Sequence, residues 1–167
     1  AQAKAAARAA VQALSPTDYI GVIAFDGKAD WLVPPTLASN RNAIRQKIAT
    51  LGSGGGTDIM AALREAHRSL VPIRASLKHI VVLSDGQSHN QGFKSLMKDI
   101  GRDKITVSTV GIGEKHGQHF MQEIARHGGG RFYFVRDPRV LPRIFIKETR
   151  FVKRGLMFEE TFIPAIT

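Results

Sequence analysis

Apolar runs of strand length alternate along the chain with stripes of helical period. From Ala1 to Leu14 nearly every residue is Ala, Val, Leu or a long polar side chain, all good helix formers, until Ser15-Pro16-Thr17-Asp18 stops the pattern. Tyr19-Ile20-Gly21-Val22-Ile23-Ala24-Phe25 is a near-continuous apolar run rich in β-branched and aromatic residues, the composition of a strand buried on both faces. Asp26-Gly27 supplies a tight turn, and the return run Trp31-Leu32-Val33 ends at Pro34-Pro35, which cannot donate to a ladder and therefore suits an edge. Asn40 opens a helical pattern through Ile44, Ile48 and Leu51, closed by the glycine-rich Gly52 to Gly56. Thr57 is placed to cap the next helix, whose apolar stripe is Ile59, Leu63, Ala66 and Leu70.

The second half repeats the alternation. His79-Ile80-Val81-Val82-Leu83 reads as a buried strand ending in Ser84-Asp85-Gly86, a helix follows around Phe93 to Ile100, and a strand runs from Lys104 to Val110. A helix at about His116 to His127, a strand Phe132 to Val135 and a helix Asp137 to Phe151 complete the pattern. Strand and helix in alternation predict an α/β fold of three layers: a mostly parallel central sheet with one antiparallel edge strand and helices on both faces.

Composition narrows the class. At 167 residues, 43% hydrophobic and 23% charged, the chain suits one globular domain and excludes disordered and fibrous classes. The longest wholly apolar stretches, such as Ile80 to Leu83, are far short of the roughly 20 residues a bilayer span needs. Lys4 and Arg8 interrupt the first apolar stretch, so no signal peptide is read there. With no cysteine, disulfides, thiolate metal sites and cysteine nucleophiles are excluded. The net charge of +10 is unevenly spread: Arg136, Arg139, Arg143, Lys147, Arg150, Lys153 and Arg154 stand against only Asp137 and Glu148.

Chemistry is best placed at two loops. Gly54-Gly55-Gly56-Thr57-Asp58 and Leu83-Ser84-Asp85-Gly86 offer a hydroxyl and a carboxylate, hard oxygen donors suited to Mg2+ or Mn2+, and open α/β sheets bind ligands at the carboxyl ends of their strands. The alternative is that Thr57 only caps a helix and Asp85 only turns the chain. In their order along the chain, the strand Tyr19 to Phe25, the hairpin, the loop with Thr57-Asp58, Ser84-Asp85-Gly86 and the strand Thr106 to Val110 before Gly111-Ile112-Gly113 resemble a von Willebrand factor type A domain over about residues 1 to 148. The resemblance implies a protein-binding, non-enzymatic module of adhesion or scaffold type. Its metal-ion-dependent adhesion site would hold Mg2+ or Mn2+ through Thr57 and Asp85, with Asp58 and Ser84 as supporting neighbours, and the metal would accept a carboxylate from a partner protein.

The sequence departs from that family in one respect. The family's first strand ends in Asp-x-Ser-x-Ser just before the first helix; no such motif occurs here, and the chain reads as starting inside that helix. With those ligands missing, no tight metal binding is expected of this chain alone. The missing strand is the central one, so a seam is expected between the strand at Tyr19 and the strand at Ile80, to be filled by the tail after Arg154, a second copy of the chain, or upstream residues. The division expected is therefore a type A domain at 1–150, lacking its first strand, and an extension at 151–167 that fills the sheet or links onward. Val140 to Arg150, with Glu159-Glu160-Thr161-Phe162-Ile163-Pro164 after it, resembles the exit from the domain in bacterial membrane-anchored proteins, where a glutamine-amidotransferase-like domain follows. That implies a soluble module of a membrane-anchored parent.

Other signals are weaker. His116, His119 and His127 lack a carboxylate fixed by spacing, so a zinc site is declined. Gly52 to Gly56 follows a helix and lacks the Gly-Lys-Ser/Thr ending that grips phosphates. Ser84 has no nucleophile elbow around it, which leaves a hydrolase only as a remote alternative. The basic face of the last helix reads as a solvated face first and an anionic membrane surface second. Nucleic acid is not expected, because the aromatics fall in strands and core stripes.

Overall fold

Ile105–Ile112 carries an almost unbroken row of buried residues, and the rest of the domain is arranged around it. In the computed structural model, residues 2–25, 29–50, 58–84, 90–114 and 117–157 are described. The element order is α1 (Gln2–Gln12), β1 (Tyr19–Phe25), β2 (Ala29–Leu37), α2 (Arg41–Ala49), α3 (Ile59–Leu70), β3 (Lys78–Ser84), α4 (Phe93–Arg102), β4 (Ile105–Ile112), α5 (His119–His127), β5 (Gly129–Val135), a 3-10 turn (Pro138–Val140) and α6 (Leu141–Met157). The α/β alternation read from the sequence is the observed one.

The strands fall into two sheets. β3, β4 and β5 form a parallel sheet in that spatial order, with Leu83 opposite Val110 and Val110 opposite Tyr133. β1 and β2 form an antiparallel hairpin in which Tyr19 faces Leu37 and Phe25 faces Ala29. Among the described residues no ladder joins β1 to β3, which is the seam expected from the sequence; the single continuous sheet is thus seen as two parts. Burial marks the same place. β4 is covered, whereas Val22 and Ile23 of β1 and Ile80 and Val81 of β3 are only partly buried. A strand flanked by ladders and helices on every side should be wholly buried.

Helices bridge the two parts on both faces. α3 packs on β1, β2 and β3. It buries Ile59, Met60, Leu63, Ala66 and Leu70 at helical spacing, and Ile59, Met60, Leu63 and Leu70 enter a core with Phe93, Leu96, Met97 and Ile100 of α4 and Met121 and Ile124 of α5. Each such side chain contributes about 1.5–3 kcal/mol through the water it sheds. On the other face α1 packs against α6, and Ala6 joins Val110, Val135 and Leu141 in a second cluster. The hairpin has its own cluster, in which Ile20 and Val33 meet Val11, Leu14, Ile44 and Ile48.

Several boundaries differ from those read in the sequence. β2 runs through both prolines to Leu37, because Pro34 and Pro35 fall at the register shift between Thr36 and Val33 of an edge strand, where no ladder bond is asked of them. β5 begins at Gly129, three residues before Phe132, and α6 continues past Phe151 to Met157.

Candidate functional site

Of the two loops expected to carry chemistry, Asp58, Leu83 and Ser84 are the described residues. α3 packs on β3 and is joined to it by a short connection, so the start of the helix and the end of the strand lie on the same rim. Asp58 stands at the first of these and Ser84 at the second. Asp58, not Thr57, caps α3: its Oδ1 accepts the Ala61 backbone N–H at 3.0 Å. A carboxylate takes this role more strongly than a hydroxyl because the helix N-terminus is positive. Ser84 is buried at the end of β3, in register with Gly111. Thr57 and Asp85 lie outside the described residues. In kind, an aspartate and a serine on one rim fit a hard cation. In number, no group of three His, Cys, Asp or Glu side chains suited to a metal occurs among the described residues.

A second constellation sits at the opposite end of the parallel sheet, and the sequence reading missed it. Glu148 of α6 is fully buried and accepts five hydrogen bonds from four side chains. Arg131 of β5 donates from Nε to Oε1 and from Nη2 to Oε2, both at 2.8 Å. Tyr133 OH donates to Oε1 at 2.8 Å, His79 Nε2 lies 2.9 Å from Oε2, and Ser108 Oγ donates to Oε2. A second layer orients the first. His79 Nδ1 is 2.6 Å from Thr106 Oγ1, and Ser108 Oγ accepts the Arg131 backbone N–H at 3.0 Å. Burial pushes the Glu148 carboxyl up, but the bonds from His79, Arg131, Ser108 and Tyr133 outweigh it and bring the pKa down to about 2. The same burial, with Glu148 as acceptor, raises the Tyr133 phenol above its ordinary value. Because the carboxylate can only accept, Nε2 of His79 carries a hydrogen.

This cluster has the residue types of a hydrolytic site without its accessibility: Ser108 is fully buried and its hydroxyl is engaged at both ends. What it does is hold α6 to the sheet. One signal in the sequence pointed to it. Glu148 continues the apolar stripe Leu141, Ile144 and Phe145 at helical spacing, and a carboxylate in such a stripe requires buried partners. Farther along α6, Lys153 Nζ donates to Asp18 Oδ2 at 2.9 Å and to Ser15 Oγ at 2.7 Å, in the connection leading into β1. α6 therefore carries one charged anchor in each half of the split sheet.

Comparison with known proteins decides the family. The profile of the von Willebrand factor type A domain matches residues 1–134. The chain belongs to that family. Structures similar to this type A domain include a von Willebrand factor type A protein from Catenulispora acidiphila, with a TM-score of 0.81 and 24% identity over 89% of this chain and 37% of the other. BatB from Bacteroides thetaiotaomicron matches with a TM-score of 0.75 and 24% identity over 91% of this chain and 87% of that one. Among curated relatives, sll0103 of Synechocystis sp. is 28% identical over 139 residues, which is 81% of this chain and 33% of the relative. YwmC of Bacillus subtilis is 28% identical over 113 residues, 66% of this chain and 50% of the relative. The type A domain thus spans a third to a half of the length of these curated relatives. No helix among its described residues is long and apolar enough to cross a membrane.

Proposed function

We propose that this type A domain is a non-enzymatic protein-binding module whose intact parent uses Mg2+ or Mn2+ at the rim, the ligands within this chain being an incomplete set. Thr57 and Asp85 would supply a hydroxyl and a carboxylate to the cation, supported by Asp58 and Ser84, and the cation would accept a carboxylate from a protein partner. The observation that supports this reading is the shared rim of Asp58 and Ser84, each the direct neighbour of one proposed ligand. The cation's chemistry is that of a hard acid joining two sets of oxygens, and Asp58 at the α3 cap and Ser84 at the end of β3 stand next in sequence to the two residues that would donate to it. The module would serve a membrane-anchored bacterial parent, followed there by a glutamine-amidotransferase-like domain.

Thermal unfolding of the full-length parent's type A domain, with and without Mg2+, tests the metal. A rise in midpoint that is lost in Asp85→Ala and Thr57→Ala supports it; an unchanged midpoint in the parent chain, or one that rises equally in the variants, refutes it. A second reading is favoured by the seam between β1 and β3: a metal-independent interaction fragment, completed by a strand from another copy of the chain. Light scattering separates the two, since a strict monomer at all concentrations removes the second. Turnover of simple ester or phosphate substrates by the purified chain would restore the remote hydrolase reading.

A further inference from the structure

The outer face of α6 carries Arg143, Lys147 and Arg150, spaced four and three residues apart and so aligned in one stripe about 10 Å long. All three are exposed, and among the described residues no carboxylate pairs with any of them; Lys147 also lies 5.9 Å from the centre of the Tyr133 ring. The reason lies inside the domain. Glu148, the sole acidic residue of α6, is turned inward and saturated by its donors, so it cannot screen the outer cations. Charge on the helix is thereby sorted, with the anion in the core and the cations in solvent. Beside Arg150 stands Phe151, 51% exposed, with the Arg131 guanidinium stacked 3.5 Å from its ring centre. An exposed phenyl ring flanking a cationic stripe suits the boundary between headgroups and acyl chains.

We infer that this stripe docks the domain on an anionic lipid surface, with Arg143, Lys147 and Arg150 on the headgroups and Phe151 as a shallow apolar anchor. The apolar side of α6 is already spent on the sheet, with Leu141 buried and Ile144 and Phe145 packed beside it, so the helix would lie on the bilayer without inserting its core face. A flat anionic surface meets all three cations of a straight stripe together. Single-stranded nucleic acid is the less suited polyanion, because one exposed ring gives no platform for successive bases.

Co-sedimentation of the full chain with vesicles tests this. Binding is expected to phosphatidylcholine vesicles holding about a third phosphatidylserine, not to pure phosphatidylcholine, and to weaken as salt shortens the screening length. Arg143→Gln/Lys147→Gln/Arg150→Gln should bind roughly a hundredfold more weakly, and Phe151→Ala should bind more weakly while keeping its salt dependence. Circular dichroism and a melting curve like the parent's establish that each variant is folded; the exposed positions make this the expected result. Equal binding to neutral vesicles, no binding to anionic ones, a folded triple variant that binds like the parent, or retention of a nucleic-acid duplex in place of anionic vesicles would each overturn the proposal.

Discussion

The two oxygens of Glu148 accept the Nε and Nη2 hydrogens of Arg131 as a fork, at 2.8 Å each, across the interface between α6 and β5. The pair is worth less than its geometry suggests if both charges are counted against their loss of water, but removing one partner strands the other. Glu148→Ala should therefore lower stability by about 3–5 kcal/mol, read as a shift in the urea midpoint. A variant in which Arg131 and Glu148 are both replaced by apolar residues should recover part of that loss. A single Glu148→Ala change costing no more than a surface substitution would show that α6 is held by its apolar stripe alone.

The same carboxylate makes stability depend on acid. Its folded pKa of about 2 lies below its ordinary value of 4.5, so the native state resists protonation that the unfolded chain accepts. Its contribution is complete above pH about 4.5 and is lost as pH falls toward 2. Urea midpoints measured across that window should fall steeply in the parent and less steeply in Glu148→Gln. Glu123 is also held low, by its hydrogen bond from Arg126, yet it lies on the helix surface, and Glu123→Gln should leave the stability nearly unchanged.

At Gly130 the backbone of β5 runs tight against β4. A methyl group there would collide with the carbonyl oxygen of Val107 and stand 2.5 Å from Ser108 Oγ, beside the register shift between Val107 and Thr109. The close approach is what lets the Arg131 N–H reach Ser108 and aims the guanidinium at Glu148. Gly130→Ala should cost about 1–3 kcal/mol or more, since backbone must move, and calorimetry would read it as a lowered Tm.

Trp31 is the single tryptophan and reports on the hairpin. Its Nε1 donates to Glu65 Oε1 of α3 at 3.0 Å, and its ring covers Gly21, where a methyl group would stand 2.6 Å from Cζ3. Gly21→Ala should push the indole outward and shift its emission to the red, while Glu65→Gln should preserve the packing and alter the emission less. Unchanged emission in Gly21→Ala would place the indole elsewhere.

Element type was legible wherever a stripe or run was long: α3 through Ile59, Leu63, Ala66 and Leu70, and β3 through Ile80 to Leu83. The cap of α3 was misassigned by one residue, since Thr57 and Asp58 are both acceptable caps and only geometry selects between them. Asp58 and Ser84 on one rim followed from topology. The Glu148 cluster did not, because its partners come from β3, β4 and β5 and nothing in local spacing brings His79, Ser108 and Arg131 to one carboxylate. Only the odd carboxylate in an apolar stripe announced that partners must exist.

Lys153 and Asp18 are separated by 135 positions, and the bond between them joins the last helix to the connection before the first strand. α3 joins the hairpin to the three-stranded sheet through contacts nearer in sequence, whereas this second join waits for α6. A ribosome making this protein would hold that second join open until α6 clears the exit tunnel. In the interval before that moment, the apolar face that α6 covers and the side chains that later donate to Glu148 stand open to water and to chaperones.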